Sequence, residues 1–461
     1  MLTSTHALTR RTARNALLAT TAAAAALCAS AAAAADNNTS VQELVVTAQK
    51  RAENVQDVPA SVSVVGKDQL ANLHVTQLTD IGAYVPGLQI SSGGTPGQTT
   101  IIIRGVAPLG PGATVGTYID DTPVGGSSGY ARNTSFALDL LPYDVQRLEI
   151  LRGPQGTLYG ASTMGGLLKY VLTQPDLTGF HARVGGDASG IEGAGELGWG
   201  ARAMINAPLV QDQLAVIGSV AYQKTPGYID SAQSGAKDQN AVDQQSARLS
   251  FLWKPTDKVS LNIGTLYQRI DADGFGTMAL SATRATDPPA PLAGDLMDNN
   301  YTPQAFKKRI SYTSATLNWD LDWANFVSAT SYADTLTNQR QDLTRTYGGI
   351  YHLFGKPDGL SEFDIELGLK KFTQEFRLTS PAGGKVDWLI GAFYTHEDAT
   401  NLQLLTAQAF NGSSVAGLDP LFIGDIPSTY KEYAAFGDAT LHVTDQFAIG
   451  VGARYAKNDQ T

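Results

Sequence analysis

From Phe180 to its C-terminal end, the chain alternates apolar and polar residues with period two. Phe447, Ile449, Val451, Ala453 and Tyr455 fall on one side of a run, with Ala448, Gly450, Gly452 and Arg454 on the other. Val259, Leu261 and Ile263 alternate in the same way with Ser260, Asn262 and Gly264. This period places one set of side chains on each face of a β-strand. It predicts eleven strands, near residues 180–190, 195–206, 213–224, 246–254, 259–271, 308–319, 323–335, 371–380, 387–398, 430–442 and 446–457. The region before Phe180 has a mixed pattern. Ser61–Val65 alternates as a strand. Leu70, Leu73, Leu78, Ile81 and Val85 give a loose helical spacing over Lys67–Val85, ended by Pro86-Gly87. Thr99–Val106 reads as a buried strand and Thr117–Val124 as strand, turn, strand. Val145–Pro175 reads as strand, Gly-Pro turn, Gly-rich loop and strand. Pro59–Pro175 spans about 120 residues, an ordinary size for one core.

The connections discriminate between architectures. Ala207–Asp212, Pro255–Lys258, Asp320–Asp322, Pro381–Val386 and Thr444-Asp445 are short turns, whereas 225–245, 272–307, 336–370 and 399–429 are long. Short and long alternate strictly after the second strand. A soluble sandwich shares the period-two pattern but has no reason for that alternation. A membrane barrel does, with short turns at one rim and long loops at the other. Trp199, Trp253, Trp319, Trp323 and Trp388 all fall in predicted strands, several beside turns. An interfacial aromatic girdle predicts such positions, and core packing is the other reading for any one of them.

The N-terminus adds a compartment. Arg10, Arg11 and Arg14 precede the apolar run Ala16–Ala29, and Ala33-Ala34-Ala35 before Asp36 fits a small-residue cleavage site. Residues 1–35 therefore read as a secretory signal peptide. The apolar run is shorter than the roughly 20 residues a spanning helix needs. Thr12-Ala13-Arg14 after the Arg pair favours the ordinary secretory route over the twin-arginine one. Cys28 is the only cysteine, and Leu27 before it argues against lipidation. A mature chain without cysteine has neither a disulfide framework nor a thiolate metal site. Loss of a leader with three Arg and no acid takes the net charge from −10 to −13, which argues against a nucleic-acid partner. Export, strands and no later helix apolar enough to span a bilayer suit an outer-membrane barrel, which satisfies every backbone group in lipid.

The string VQRLEILRGPQGTLYGASTMGGLLKYVLTQP at 145–175 carries the most specific signal. Arg147, Glu149 and Arg152 are set around apolar Leu148, Ile150 and Leu151. Gly153, Gly156, Gly160, Gly165 and Gly166, with Pro154, permit sharp turns. The whole string resembles the plug-domain signature of TonB-dependent outer-membrane receptors. IIIRG, with Arg104 and Gly105, then YIDD and LRGPQGTLYG follow the order of that family's plug. QEFRL, WLIGAFYTHE and YAAFGDATLHVTDQFAIGVGARY look like its barrel strands. Glu43, Leu44, Val45, Val46, Thr47 and Ala48 resemble its TonB box, a segment that joins a partner's sheet by main-chain hydrogen bonds. An edge strand of the next domain is the other reading of that run. Its place just after the cleavage site and ahead of polar Gln49–Asp57 favours the box.

The resemblance implies a fold class: an N-terminal α/β plug followed by antiparallel transmembrane β-barrel strands. The implied divisions are a periplasmic segment over 36–56, a plug over 57–175 and a partial barrel over 176–461. It implies energised import of a scarce nutrient, a ferric siderophore complex first, with carbohydrate or cobalamin-like cargo as alternatives. The implied partners are the TonB energy-coupling protein, outer-membrane lipid and the cargo, with no cofactor. A passive porin-like barrel is the reading from another class, and box and plug argue against it. A signal-transducing receptor needs a further domain ahead of the box, where only Asp36–Gln42 is available. Glu375 and Glu432 fall on the polar phase of the eighth and tenth predicted strands, which should face the lumen. Similar receptors pair plug arginines with barrel glutamates, which here implies Arg104 and Arg152 with Glu375 and Glu432. Solvated lumen residues are the other reading of the two glutamates.

The strands amount to roughly half of the 22 in such transporters. With eleven, the first and last would run parallel if they closed on each other, whereas bacterial barrels use even numbers of antiparallel strands. The chain also ends in Asn458-Asp459-Gln460-Thr461 without a terminal aromatic. These features predict a truncated receptor or fragment. No catalytic constellation emerges. GASTM at 160–164 fails the G-x-S-x-G elbow at its last position, and there is neither a P-loop nor an H-E-x-x-H. His74, His181, His352, His396 and His442 are scattered, which gives no metal site. His396-Glu397-Asp398 at the mouth of a long loop reads as a solvated strand end ahead of a contact for a metal complex, and Asp120-Asp121 as a turn between plug strands ahead of paired acid/base carboxylates.

Overall fold

A computed structural model describes residues 45–132, 136–278, 280, 281, 290, 291, 294–381, 383–444 and 446–461. The expected leader, and Glu43 and Leu44 of the expected box, lie outside the described residues. Residues 1–45 and 46–461 are separate units by their internal contacts, and the fold is that of the second.

Six strands of five residues or more build the N-terminal body: β1 (Ser61–Gly66), β2 (Leu88–Ser92), β3 (Thr99–Ile103), β4 (Val115–Ile119), β5 (Val145–Arg152) and β6 (Gly166–Leu172); ahead of them the two-residue strands Val45–Val46 and Glu53–Asn54 pair with each other. The central sheet runs β1-β5-β6-β4 with the two-residue strand Thr122–Pro123 at the edge beyond β4, antiparallel except for the parallel pair β4/β6. β2 and β3 form a separate hairpin. Beyond a register shift after Val145, period two divides β5. Leu148 and Ile150 enter one apolar cluster, with Leu168 and Tyr170 of β6. Leu151 enters a second cluster on the opposite face, with Leu167 of β6. The helical spacing over 67–85 resolves into two pieces, α1 (Lys67–Asn72) and a 3-10 turn over Leu78–Tyr84. His74 takes φ +50 between them. The Asp80 carboxylate accepts the amides of Thr76 and Gln77 at 2.9 and 3.1 Å and so starts the second piece.

Eleven long strands follow: β7 (His181–Ser189), β8 (Gly198–Val210), β9 (Leu214–Thr225), β10 (Val242–Thr256), β11 (Val259–Ala272), β12 (Phe306–Asp320), β13 (Asn325–Asp342), β14 (Glu362–Thr379), β15 (Val386–Leu405), β16 (Ser428–Thr444) and β17 (Phe447–Gln460). Each pairs antiparallel with the next, and a short strand, Phe422–Asp425, adds to the end of β15. Among the described residues β7 and β17 do not pair with each other, so the sheet is open. β17 is exposed along nearly its whole length. Trp253, Trp319, Trp323 and Trp388 cluster at the rim of short turns, with Trp323 in the turn before β13 rather than in a strand.

The wall curves around the N-terminal body with its polar phase inward. In β14, Lys371, Thr373, Glu375, Arg377 and Thr379 are buried. Phe376, of the opposite phase, is 47 % exposed. Apolar side chains outward and polar ones inward is the arrangement of a wall with lipid outside. Leu266, Ile310, Tyr312 and Ala333 of the wall join the main apolar cluster of the body.

Candidate functional site

The site begins with the segment at residues 46–51. Val46, Ala48 and Lys50 point inward and are buried. Lys50 closes a tight turn, its amide on the Thr47 carbonyl at 3.1 Å and its φ at +59. Val46 and Ala48 pack with Tyr118, Leu151, Tyr159 and Leu167. Glu149 of β5 and Lys169 of β6 are opposite one another in register. Both point to this face, because they alternate with the Leu148/Ile150 and Leu168/Tyr170 side. The Thr47 amide donates to Glu149 Oε1 at 3.0 Å, and Lys169 Nζ donates to Thr47 Oγ1 at 2.8 Å. The Tyr159 hydroxyl donates to the carbonyls of Thr47 and Ala48 at 3.2 and 2.8 Å. Arg147 Nε holds Glu149 Oε1 at 2.7 Å. Arg147, Glu149 and Tyr159 of the 145–175 string thus form the cradle of the segment.

The same segment reaches the wall. Lys50 Nζ lies 2.5 Å from Glu375 Oε2 and 5.1 and 5.0 Å from the ring centroids of Tyr159 and Phe436. Arg377 joins Glu375 at 3.0 Å and Asp121 at 2.8 Å, and Lys169 stands 3.5 Å from Asp121. Burial favours the neutral form of Lys50 more than Glu375 favours the charged one, so its pKa falls to about 8. Burial alone would raise Asp121, but the charges of Arg377 and Lys169 outweigh it and hold this carboxyl well below the usual range.

Further stitches fasten body to wall. Lys371 joins Glu397 at 2.9 Å and donates to the Gly125 carbonyl at 2.7 Å. Glu397 also accepts the Ser127 amide and hydroxyl at 2.8 and 2.6 Å. Lys308 Nζ donates to the carbonyls of Gly97, Phe136 and Ala137. Arg248 meets Asp144 at 3.2 Å. Arg454 pairs with Glu432 at 2.6 Å and passes over Gly160, where a Cβ would stand 2.9 Å from its Nη2. Gly166 has the same need: a Cβ there would meet the Leu151 carbonyl oxygen at 2.3 Å.

The pairing expected from sequence is corrected here. Glu375 and Glu432 are buried against the body, but their partners are Lys50 with Arg377, and Arg454 with the Tyr430 hydroxyl. Arg104 is exposed in the turn after β3, at φ +54, with its guanidinium toward Gly153. Arg152 ends β5 and donates to the Pro86 carbonyl at 3.1 Å. Both arginines sit at the rim of the body because their motifs turn the chain there. The period-two reading of β14 placed Glu375 inward, yet the same phase contains Arg377, which sequence reasoning passed over. Asp120 is a turn residue at φ +48, its carboxylate accepting the Leu172 amide at 2.9 Å, and burial raises its pKa to about 6. Asp121, by contrast, leaves the turn for the charge network. Glu397 is buried in the seam rather than solvated with Asp398. Among the described residues no group of side chains could hold a metal ion.

Comparison with known proteins follows this geometry. Residues 54–167 match the TonB-dependent receptor plug domain family. The chain is 27 % identical over 430 residues to the pesticin receptor of Yersinia pestis, covering 90 % of this chain and 55 % of that protein. It is 26 % identical over 221 residues to the vitamin B12 transporter of Photobacterium profundum, covering 46 % of this chain and 34 % of that one. The crystal structure of the ferric yersiniabactin uptake receptor from Yersinia pestis superposes with a TM-score of 0.68 at 19 % identity, covering 87 % of this chain and 60 % of that one. The chain spans about half the length of the curated relatives it matches.

Proposed function

We propose that this TonB-dependent outer-membrane receptor, exported by a signal peptide over residues 1–35, belongs to a system for energised import of a ferric siderophore complex. Residues 57–175 act as its plug, 176–461 as barrel wall, and 36–56 as the periplasmic segment that carries the box at 43–48. The carrying observation is the position of residues 46–51. They lie at the junction of plug and wall and are held by side chains of both, through Glu149, Tyr159 and Glu375. A segment held in this way can leave as one piece and add to the sheet of the TonB protein through its own main chain. A passive pore has no use for a plug stitched to its wall, nor for such a segment.

Iron as cargo is supported by relatives that include a ferric yersiniabactin uptake receptor. Cobalamin-like cargo is the second reading, because a vitamin B12 transporter is also similar. A deletion strain grown on defined iron sources separates the two. The expected result is loss of growth on one ferric siderophore, restored by the full-length gene. Normal growth on every ferric source, with a defect on cobalamin or a sugar oligomer, replaces the iron reading.

A further inference from the structure

The network around residues 46–51 has an unequal charge count. Its cations are Lys50, Arg147, Lys169 and Arg377, and its carboxylates are Asp121, Glu149 and Glu375. The neighbouring pairs Arg454–Glu432 and Lys371–Glu397 are each balanced. Without Lys50 the network is three against three, and every member keeps a partner. Glu375 keeps Arg377, Asp121 keeps Arg377 and Lys169, and Glu149 keeps Arg147.

Lys50 is also poorly solvated by protein. Its ammonium has three protons to donate. One goes to Glu375, and the group otherwise faces the rings of Tyr159 and Phe436. Its side chain is 2 % exposed, so water does not make up the deficit. Lys308, equally buried, donates to three carbonyls. A buried charge with few partners raises the free energy of the state that contains it.

We infer that Lys50 is a release residue, a surplus buried cation that keeps the segment at 46–51 loosely stowed so that it leaves while the plug stays fastened. This rests on reading 43–48 as the TonB box and assigns to Lys50 the control of its stowage. An ordinary clamp would have the opposite sign: its removal would loosen the segment. Here removal of the charge tightens it, because a neutral chain of similar length fills the gap between Tyr159 and Phe436 and leaves a balanced network. The lowered pKa of Lys50 agrees in direction.

The test is hydrogen exchange of the full chain in outer-membrane vesicles without the TonB protein. In Lys50→Met, the amides of residues 46–50 should exchange at least tenfold more slowly, with β5 and β6 unchanged. In Glu375→Gln, which takes the one carboxylate from Lys50 and widens the surplus, the same amides should exchange at least tenfold faster. Faster or unchanged exchange at 46–50 in Lys50→Met overturns the inference. So does failure of Lys50→Met to fold, because the network is held to be complete without it. Because the readout is the resting chain, it stands apart from whether 43–48 is the box, which uptake measurements decide.

Discussion

Two N-terminal regions meet the same wall under different rules. The loop at 121–128 is tied by Asp121 to Arg377, by the Gly125 carbonyl to Lys371 and by Ser127 to Glu397. Each charge there meets an opposite charge, and carbonyls or hydroxyls take up further hydrogen-bonding capacity. The segment at 46–51 has Thr47 in the cradle of Glu149, Lys169 and Tyr159, but its one buried charge, Lys50, shares a single carboxylate, Glu375, with Arg377. Arg51 adds only a 3.9 Å approach to Asp387. Buried and half-buried residues alternate along both regions, so burial by itself does not separate them. The number of partners per buried charge does, because an interior group loses its water in either place and is repaid only by protein.

The largest expected effect is on uptake. Val46→Pro in a full-length receptor should abolish energised uptake and leave cargo binding at the surface intact. Proline removes a ladder donor and fixes φ, so the segment cannot join another sheet. Unchanged uptake would remove the functional half of the comparison. Next is Arg377→Met, which takes a partner from both Asp121 and Glu375. It should cost about 3–5 kcal/mol of plug stability, read as faster exchange throughout β4, β5 and β6. A change confined to residues 46–50 would mean that the two regions share no fastening at Arg377.

Gly160→Ala should have a smaller effect. The residue sits at φ +76 and ψ −140, which only glycine adopts easily, and the new Cβ would push on Arg454. A loss of about 1–3 kcal/mol is expected, with the Arg454–Glu432 pair displaced. The smallest is a pH effect on the segment. Stowed Lys50 titrates near pH 8, whereas a released lysine titrates near its ordinary value. Between those values the released state binds more protons, so stowage strengthens as pH rises, by at most about 1.4 kcal/mol per unit. Below about pH 8 both forms are charged and Lys50 adds no slope. Among the described residues Glu375, Arg377, Asp121 and Tyr159 face it, with Tyr118 edge-on to Tyr159. Burial raises both tyrosines above this window, and Asp121 titrates below it. Exchange at 46–50, corrected for intrinsic rate, should therefore slow between about pH 8 and about pH 10.

Much of this architecture was legible in the residues. Period two located the eleven wall strands, and the rhythm of short and long connections set them in sequential antiparallel order. The same period gave Glu375 and Glu432 their inward direction. Helical spacing misled over 67–85 because it does not register a local carboxylate cap such as Asp80. The partners of the two glutamates were hidden for a different reason. Which cation meets which carboxylate depends on long-range approach, as in Lys50 to Glu375 across 325 positions of sequence. Motif arginines attract attention in a sequence, but Arg104 and Arg152 stand where the chain turns, and turns lie at the rim. The inward phase of β14 could have yielded Arg377, two residues from Glu375. No local pattern marks Lys50.

The central claim is that a releasable segment is stowed against a fixed body. Native-state hydrogen exchange of the unmodified chain in outer-membrane vesicles tests it directly. The account predicts that amides at 46–50 open with a lower free energy than those of β5 and β6, in a separate step and without loss of the Asp121–Arg377 seam. A single opening free energy common to 46–50, β5 and β6 would contradict it, because segment and body would then leave the wall together.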